Sequence, residues 1–562
     1  MKKKQVIKLP STDGTLRSLP RGWQWVRLQD LASSDPRAIT DGPFGSNLKS
    51  EHYTTTGPRV VRLENIGHGS FIDKPAHISQ AHYERLSRHA ISAGDLVIAI
   101  LGSPLPRACR IPESLGPAIV KADCIRFQAD PALVDGRYAC WWINSTEPQK
   151  AAEDSIHGVG RPRLGMDNVK GLLVPLAPRP EQARIVAKID ELFSDIEAGE
   201  KALERAELLV KRYRQSVLKA AVTGELTKDW RSKNLARLKK QKKTGADLLA
   251  DILKKRRLAW ETSELAKLTA KGKAPKDDKW KSRYVEPAAP KTDDLPNLPE
   301  GWVWARLDAI AVLAGGVTVD KGRKPKDPTT LPYLRVANVQ RGFLALQDVK
   351  EITVEADDAR DLILCEGDVL FTEGGDRDKL GRGWVWHGEL PRCIHQNHIF
   401  RARPFSVNLF PEFISHHGNV IGPKYFSDEG KQTTNLASIG LSKLRSFPIP
   451  IPPDEELHQV MSALERMLSI ADHQINELAI ARSAASALKQ SILKSAFSGK
   501  LVAQDSADES AAVLLDRIKA EHAKPHSAPV KVRKQPASST ARRARGRPKK
   551  ATESRDRQGK LL

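Results

Sequence analysis

The chain has 562 residues, too many for a single hydrophobic core, so its length predicts two or three domains joined by connecting elements. Its 91 Lys and Arg against 68 Asp and Glu leave a formal charge of +23, which favours nucleic acid as a partner and makes binding salt-dependent. No apolar run approaches the roughly 20 residues of a membrane span and MKKKQVIKLP lacks the apolar core of a signal peptide, so we expect a cytoplasmic protein without a membrane partner.

The first clear pattern along the chain is an internal duplication. LPRGWQWVRLQDLA from Leu19 returns as LPEGWVWARLDAIA from Leu298, and VVRLENIGHGSF from Val60 is echoed by YLRVANVQRGFL from Tyr333. ISAGDLVI matches LCEGDVLF, and RQSVLKAAVTGEL from Arg214 returns as KQSILKSAFSGKL. The offset stays near ~275 residues, far longer than the ~20 to 50 residues of solenoid repeats. The sequence therefore predicts two large tandem units.

Each unit is predicted to begin with a globular part, at residues 1–180 and 298–453. Short β-branched and aromatic runs such as GDLVIAIL and GDVLFTEGG, broken by Gly and Pro, predict strands with a few helices. Each part ends in a proline-rich segment, LLVPLAPRPEQ or FPIPIPPDEE. Proline cannot continue a strand ladder, and the acidic residues suit the start of a helix.

A long helix is predicted after each globular part, at residues 181–226 and 454–500, because apolar residues recur at steps of four and three. The first seam is Ile185, Ile189, Leu192, Ile196, Gly199 as a weak position, Leu203, Ala206, Val210, Tyr213 and Val217. The second is Leu457, Met461, Leu464, Leu468, Ala471, Ile475 and Leu478, continued by Ala481, Ala484 and Ala485. Such a stripe also fits an ordinary core helix, but roughly 40 residues make a rod of about 60 Å. We therefore predict that the two rods pair with each other and hold the globular parts apart.

The segments outside this duplication are strongly charged. Residues 227–297 are predicted to form helical pieces followed by a flexible, solvated linker. Residues 501–562 are predicted to be a basic, disordered tail. Within the tail, the run Arg545, Gly546, Arg547 and Pro548 resembles an AT-hook, which inserts arginines into A·T-rich minor grooves. The alternative is a tail that binds polyphosphate without sequence preference.

Five cysteines without a C-x-x-C pair argue against a disulfide framework or a structural zinc module and favour buried free thiols. They are Cys109, Cys124, Cys140, Cys365 and Cys393. A metal site at Cys393, His395 and His398 is not predicted. Alternate residues of the apparent strand CIHQNHIF point to opposite faces, so His398 would face away from the other two.

Taken together, these patterns resemble the specificity subunit of type I restriction-modification systems. The resemblance covers roughly Leu19 to Val502 and is carried by the duplicated LPxGWxWxRL segment, by LxPxxPxxEQxRIVxKI from Leu173 to Ile189, and by LKAAVTGEL from Leu218. It implies an α+β fold with two tandem mixed α/β target-recognition domains, each of which reads one half of a split DNA sequence. It also implies that the two helices form an antiparallel coiled coil that sets the spacing between the half-sites.

The resemblance implies partners as well. The coiled coil would dock two methyltransferase subunits and the restriction-translocase subunits, and those partners would bind S-adenosylmethionine, ATP and magnesium. This chain is expected to bind no cofactor and to have no catalytic activity, because it lacks a Walker A loop and an Asn-Pro-Pro-Tyr type methyltransferase signature. Two alternatives stay open, a stand-alone nuclease or methyltransferase and a non-specific coiled-coil scaffold.

Candidate DNA-contacting residues lie in segments that mix Gly with Arg, Lys, Asn and Ser, because base edges need paired donors and acceptors and phosphates need cations. The candidates in the first domain are Ser46, Asn47, Lys49, Arg62, Asn65, Arg107, Arg110, Arg161 and Arg163. Those in the second domain are Lys321, Arg323, Lys324, Arg335, Asn338, Arg377, Lys379, Arg382, Gln396, Asn397 and Thr433. An exposed arginine is often only a solvated cation, and two domains that read different bases should share scaffold residues. The repeated pairs Arg62/Asn65 and Arg335/Asn338 are therefore either readers or scaffold. By the same argument the repeated tryptophans Trp23, Trp25, Trp302 and Trp304 are predicted to be packing residues and not stacking platforms.

Overall fold

The structure, a computed structural model, describes residues 16–156, 162–273, 275, 277–293, 295–318, 320, 322, 325–375, 380–429, 431–432 and 437–522. The chain divides into two compact units, unit 1 with residues 1–190 and 490–562 and unit 2 with residues 191–489. Each unit contains one mixed α/β domain together with parts of two long helices, as the duplication predicts.

Domain 1, in unit 1, contains short strands and short helices. Its strands are β1 (Gln24–Arg27), β2 (Ile39–Asp41), β3 (Tyr53–Val61), β4 (His77–Ile78), β5 (Ala90–Ile91), β6 (Leu96–Ala99), β7 (Arg107–Arg110), β8 (Ala118–Val120), β9 (Cys124–Phe127) and β10 (Leu173–Leu176). Its α-helices are α1 (Gln80–Arg85), α2 (Gly136–Ile143), α3 (Thr146–Glu153) and α4 (Met166–Lys170). Its 3-10 helices lie at Leu28–Leu31, Gly45–Asn47, Ser50–His52, Leu63–Asn65, Ser87–His89 and Glu113–Leu115.

Two four-stranded sheets form the body of domain 1, in the orders β2-β9-β6-β7 and β4-β3-β8-β5. The first sheet is antiparallel throughout, and in the second β3 and β8 run parallel. β6 and β9 are buried along their whole length, which is why LVIA appears in the sequence as an unbroken apolar run. Arg126, a charged residue within β9, is buried against Asp95 at 2.7 Å.

Three helices follow domain 1 before the second copy begins. They are α5 (Arg179–Val222), α6 (Lys228–Lys240) and α7 (Gly245–Ala270), and a 3-10 helix lies at Asp278–Arg283. Trp280 and Tyr284 pack against α7, which corrects the prediction that this part of residues 227–297 is a flexible linker. The Trp280 ring stacks on the Trp260 ring of α7 with centroids 5.9 Å apart, and Tyr284 lies 5.3 Å from Trp260. These aromatic contacts hold the segment against the helix.

Domain 2, in unit 2, repeats the architecture of domain 1. Its strands are β11 (Val303–Arg306), β12 (Ala311–Gly315), β13 (Pro328–Leu334), β14 (Val339–Gln340), β15 (Phe343–Leu344), β16 (Lys350–Glu355), β17 (Val369–Thr372), β18 (Gly374–Gly375), β19 (Gly383–Val385), β20 (Ile394–His395), β21 (Ile399–Pro404), β22 (Lys431–Gln432), β23 (Ala437–Ser438) and β24 (Pro448–Ile451). Its helices are α8 (Leu307–Ile310), α9 (Ala356–Leu362), α10 (Pro411–Glu429) and α11 (Leu441–Arg445), with a 3-10 helix at Val407–Leu409. The chain continues with α12 (Asp454–Phe497) in unit 2 and unit 1, and α13 (Ala511–His522) in unit 1.

The two main sheets of domain 2 have the strand orders of those in domain 1, except that the described residues include no counterpart of β5. The order β12-β21-β17-β19 corresponds to β2-β9-β6-β7, and β16-β13-β20 corresponds to β4-β3-β8. β13 and β20 run parallel, like β3 and β8. The duplication seen in the sequence is therefore a duplication of the fold.

The LPxGWxW segment makes the same contacts in both units. In unit 1, β1 pairs antiparallel with β10, and Trp23 Nε1 donates to Glu181 Oε2 at 3.0 Å. In unit 2, β11 pairs antiparallel with β24, and Trp302 Nε1 donates to Glu456 Oε2 at 3.0 Å. All four side chains are buried, and the glutamates stand in the first turn of α5 and α12. The predicted packing role of these tryptophans is confirmed. The second tryptophans are half-buried, Trp25 beside Trp142 and Trp304 beside His417.

The two long helices, each of 44 residues, pair antiparallel within unit 2. Lys489 is ion-paired with Glu200 at 2.7 Å and Arg482 with Glu207 at 3.4 Å, so numbering rises on one helix as it falls on the other. The predicted coiled coil is confirmed, and the bounds of its helices differ from those expected by at most four residues. The predicted seam residues are buried or half-buried except for Gly199, Tyr213 and Ala484, which are exposed.

Helix α13 corrects the prediction that the duplication stops at residue 501 and that a disordered tail begins there. Ala511 N donates to Gly22 O at 2.8 Å, as Gly245 N, at the start of α7, donates to Gly301 O at 2.8 Å. Gly22 and Gly301 are the equivalent glycines of the two LPxGW segments. Three large apolar residues of α13 are buried in unit 1, and they align with residues of α7 that pack on the core of domain 2. The aligned pairs are Leu514 with Leu248, Leu515 with Leu249, and Ile518 with Ile252.

Candidate nucleic-acid interface

Parallel pairing brings the polar segments after two strands of each domain to one edge. In domain 1 Val61 of β3 pairs with Val120 of β8, so Arg62 and Lys121 follow their strands on the same side. In domain 2 Leu334 of β13 pairs with His395 of β20, which places Arg335 beside Gln396.

A glycine brings a third segment to this edge in each domain. The chain leaves β2 at Gly42, where a Cβ atom would overlap the backbone of Lys121 and Ala122. The chain leaves β12 at Gly316, where a Cβ atom would overlap the carbonyl oxygens of His395 and Gln396. Both glycines therefore serve close backbone approach, which only a residue without a side chain allows.

Backbone hydrogen bonds add two more segments to the edge of domain 1. Ile100 N donates to Asp123 O at 3.0 Å, and Leu164 N donates to Ile100 O at 2.9 Å. Gly102 N donates to Pro162 O at 3.0 Å. We call this assembly the domain 1 loop edge, made of the described residues 42–49, 62–65, 100–107, 121–123 and 162–164.

Domain 2 assembles the equivalent segments in the same way. Asn397 N donates to Val317 O at 2.8 Å, and Glu373 N donates to His398 O at 2.9 Å. Ile439 N donates to Glu373 O at 2.9 Å. The domain 2 loop edge is made of the described residues 316–318, 335–338, 373–375, 380–382, 396–398 and 437–439.

Several predicted residues lie exposed on the domain 1 loop edge. Ser46, Asn47 and Lys49 are exposed on the turn that follows Gly42. Arg163 forms an ion pair with Asp123 at 2.6 Å, and its guanidinium lies 5.7 Å from the ring centre of Phe44. These side chains offer hydrogen-bond donors and acceptors on the domain 1 loop edge, whose segments are held together by backbone contacts.

The two arginines predicted on β7 differ in position. Arg107 follows the 100–106 segment and donates to the carbonyl oxygens of Ile66 at 3.1 Å and Leu63 at 3.4 Å. Arg110 lies at the other end of the strand, roughly 10 Å further along, and donates to Glu113 at 3.1 Å. The structure brings Arg107 to the loop edge but not Arg110.

The repeated asparagines have the same buried position in both domains. Asn65 Oδ1 accepts from Arg62 N at 2.8 Å, and its amide donates to the carbonyl oxygens of Ile72 and Lys74, both at 2.9 Å. Asn338 repeats this pattern with Arg335 N, Ala345 O and Asp348 O. Both asparagines are at most 3% exposed, so the geometry favours the scaffold alternative for them. The arginine side chains stay partly exposed, Arg62 at 26% and Arg335 at 28%.

The remaining candidates of domain 2 are only partly described. Gln396 and Asn397 are half-buried on the loop edge, and Arg382 donates to Val336 O at 3.0 Å. The other predicted residues lie outside the described part of the chain. They are Arg161, Lys321, Arg323, Lys324, Arg377, Lys379, Thr433, Arg545, Gly546, Arg547 and Pro548.

No protein-family model matches the chain. Curated relatives do. The chain is 24% identical over 409 residues to the EcoDI specificity subunit of a type I restriction enzyme from Escherichia coli, covering 70% of this chain and 78% of that protein. It is 26% identical over 376 residues to the EcoBI specificity subunit, also from Escherichia coli, covering 64% of this chain and 66% of that one. A chain from a solved type I restriction-modification assembly covers 86% of this chain at 17% identity with a TM-score of 0.56, which shows a shared fold.

The chain is similar to the specificity subunits of type I restriction enzymes.

The sequence patterns did not point to a group of residues that lies beside the domain 1 loop edge. Arg37, Phe44, Arg88 and His89 line a cleft of about 390 Å³ together with Asn47. Phe44 is 46% exposed although it is a large apolar side chain. An alignment of the two repeats at the GD motif would have pointed to Arg88 and His89, because Asp361 and Leu362 stand at these positions in domain 2.

The cysteines and histidines near the domain 2 loop edge do not form a metal site. CIHQNHIF is two strands, β20 and β21, joined by a turn, which corrects the prediction of one strand. His395 is buried beside Ile399 O at 2.9 Å, and burial lowers its pKa to about 4. His398 is exposed and lies 2.5 Å from a Glu373 oxygen. Among the described residues, no group of three or more His, Cys, Asp or Glu side chains is placed to hold a metal ion.

The cysteines are free thiols, as predicted, and four are buried, whereas Cys365 is exposed. Burial raises the pKa of Cys109 and of Cys393 to about 12, so these thiols stay protonated and unreactive. In the part of the chain that the structure describes, no helix is both long and apolar enough to cross a membrane.

Proposed function

We propose that this chain is the DNA-recognition subunit of a type I restriction-modification complex and that each of its two domains reads one half of a bipartite target. One observation carries the proposal. The two loop edges are built by equivalent contacts, at Gly42 and Gly316 and at Asn65 and Asn338, yet their exposed side chains differ. A common scaffold with different side chains is what two readers of different half-sites require.

We assign phosphate contacts to the cations of the loop edges and base contacts to the polar residues between them. In domain 1, Lys49 is 54% exposed and Arg163 is 46% exposed, while Ser46 and Asn47 lie between these segments. In domain 2, we place Gln396 and Asn397 in the corresponding role. Lysines and arginines at the edge supply salt-dependent affinity, and amide or guanidinium groups supply base selectivity.

The paired helices are proposed to dock two methyltransferase subunits, which bring S-adenosylmethionine, and the restriction-translocase subunits, which bring ATP and magnesium. Large apolar side chains lie on the outside of the pair within unit 2, where Leu209 is 62% exposed and Ile480 is 61% exposed. Leu208, Tyr213 and Ile470 are exposed as well. Uncovered apolar residues on a coiled coil fit the docking of partner helices.

The proposal is tested by selecting bound sequences from random duplexes with the full chain. An asymmetric motif of two parts separated by an unspecified spacer is expected. A flat profile, or one contiguous motif, would contradict the proposal and favour the non-specific scaffold.

A matched variant separates recognition from assembly. Leu209→Asp places a charge on the outside of the helix pair and leaves both loop edges unchanged. It should keep the two-part motif while reducing co-purification with a methyltransferase subunit. A loss of the motif with unchanged co-purification would reverse the assignment.

The stand-alone enzyme is tested by incubating the purified chain with DNA, magnesium and S-adenosylmethionine. No cleavage and no methyl transfer are expected, because the chemistry is assigned to the partners. Either reaction without partners would refute the proposal.

A further inference from the structure

The cleft beside the domain 1 loop edge contains an arginine that a neighbouring histidine holds in place. Arg88 is exposed on the rim, and His89 is only 5% exposed beneath it. Arg88 Nε donates to His89 Nε2 at 2.9 Å. Because an arginine can only donate, His89 Nε2 is the acceptor, and the ring proton lies on Nδ1. Nδ1 therefore donates to Asp41 O, at 2.5 Å.

This arrangement needs a neutral histidine ring. Burial lowers the pKa of His89, the hydrogen bond to the Asp41 carbonyl opposes that effect, and the charge of Arg88 lowers the pKa further. A neutral ring links β2, which leads into the Gly42 turn, to the arginine on the rim. The histidine thereby fixes the direction of the guanidinium.

Arg88 keeps two terminal nitrogens for a ligand. Within the described residues, Arg88 forms its hydrogen bond through Nε, to His89, and Arg88 forms no ion pair. Two parallel donors of this kind match the O6 and N7 acceptors of guanine in the major groove. The rim also contains Arg37 and Phe44, so the cleft combines cations with an exposed apolar ring.

The comparison of the two domains shows that this feature is not part of the scaffold. Asp95 and Asp368 are equivalent, since each accepts from the backbone N–H three residues earlier at 2.8 Å. Counting back from them places Asp361 and Leu362 of domain 2 at the positions of Arg88 and His89. Domain 2 thus has the aspartate and its backbone hydrogen bond but not the arginine–histidine pair. This difference is expected for residues that read one half-site only.

We propose that Arg88, positioned by His89, reads a guanine in the half-site bound by domain 1. The inference rests on the proposed function of the chain as a DNA-recognition subunit. Arg88 touches the base, and His89 acts through Arg88 as a positioning residue.

Selection from random duplexes tests the proposal with the full chain and three variants. Arg88→Ala should lose roughly ten-fold to a hundred-fold of the preference for guanine at one position of one half-site. Arg88→Lys should lose nearly as much, because it keeps the charge but not the paired donors. Arg27→Ala, which removes an exposed arginine of β1, is the control and should leave the motif unchanged.

The outcomes distinguish a failure of the Arg88 base contact from a failure of the proposed function. If Arg88→Ala leaves the two-part motif unchanged, the base contact is overturned. If Arg88→Ala weakens binding equally at all positions of the motif, the base contact is also overturned, and Arg88 contacts a phosphate instead. If the unmodified chain yields no two-part motif, the proposed function fails, and this inference fails with it.

His89 is tested by loss and rescue. His89→Ala should weaken the guanine preference at the same position, and His89→Gln should restore part of it, because an amide can accept from Arg88 and donate to Asp41. Thermal unfolding of each variant monitors the fold. A fall in Tm without a change at that position would assign His89 a structural role alone and overturn its positioning role.

Discussion

The close approach at Gly316 gives a direct way to disturb one loop edge and not the other. In Gly316→Ala, the new Cβ would lie within 3.0 Å of the His395 and Gln396 carbonyl oxygens, so the two segments must separate by about 1 Å. This movement breaks the bonds from Val317 N to His395 O and from Asn397 N to Val317 O, both 2.8 Å. Overpacking costs about 1 to 3 kcal/mol and each lost hydrogen bond about 1 kcal/mol, so unit 2 should lose about 3 to 5 kcal/mol.

Selection from random duplexes and thermal unfolding together measure this effect. The half of the motif assigned to domain 2 should weaken, the other half should persist, and the Tm should fall. Gly315→Ala is the matched control, because a Cβ at Gly315 meets nothing within 4 Å. If Gly316→Ala behaves like Gly315→Ala, the tight contact between these segments is not what shapes the domain 2 loop edge.

Three further predictions concern stability. Leu515→Ala in α13 should lower the free energy of unfolding by about 2 to 5 kcal/mol in thermal unfolding, because Leu515 is only 3% exposed. The control Val513→Ala should change it little, because Val513 is 56% exposed. Equal effects would mean that α13 is not part of the unit 1 core. Trp302→Phe removes a buried hydrogen-bond donor to Glu456, a carboxyl whose pKa is raised by burial and lowered in part by its hydrogen bonds. The free energy of unfolding, measured with urea, should fall by about 1 to 3 kcal/mol. An unchanged value would show that this hydrogen bond contributes nothing to stability. Unit 2 should also become less stable as pH falls from about 6.5 to about 4, since burial lowers the pKa of three histidines to about 4 and the unfolded chain takes up their protons first. These histidines are His395, His416 and His417. Each of the three histidines should lower the free energy of unfolding at pH 5 by about 2 kcal/mol relative to pH 7.5. Equal urea midpoints at the two pH values would contradict the low pKa of these histidines.

Features that repeat in the sequence were the ones that could be predicted. The two LPxGWxW segments established the duplication and the burial of Trp23 and Trp302. Their partners Glu181 and Glu456 were recognised only as acidic residues at a helix start, because a contact between residues 158 or 154 positions apart has no local pattern. Periodicity alone also located both long helices to within a few residues.

Helix α13 escaped the repeat comparison for a physical reason. The segment from the end of α5 to the start of α7, residues 223–244, contains the additional helix α6, whereas residues 498–510 connect α12 to α13 directly. The offset between the repeats therefore changes after the long helices, and a comparison at constant spacing no longer aligns Leu515 with Leu249.

The exposed residues of the loop edges were harder to predict than the scaffold. Ser46, Asn47 and Arg163 stand in Gly-rich segments and lie on the domain 1 loop edge, as expected, but the geometry assigns Asn65 and Asn338 to the scaffold and Arg110 to the other end of its strand. The link from Arg88 through His89 to the Asp41 carbonyl joins positions 48 residues apart. Such a contact depends on how β2 and the turn before β5 meet, which composition and periodicity do not specify.

The measurement that tests the account most directly is a domain exchange. Domain 1 between β1 and β10 would be replaced by the corresponding part of the EcoDI specificity subunit, and bound sequences would be selected from random duplexes. One half of the motif is expected to change while the other half stays as it was. Changes in both halves, or in neither, would contradict the claim that two independent domains each read one half of the target.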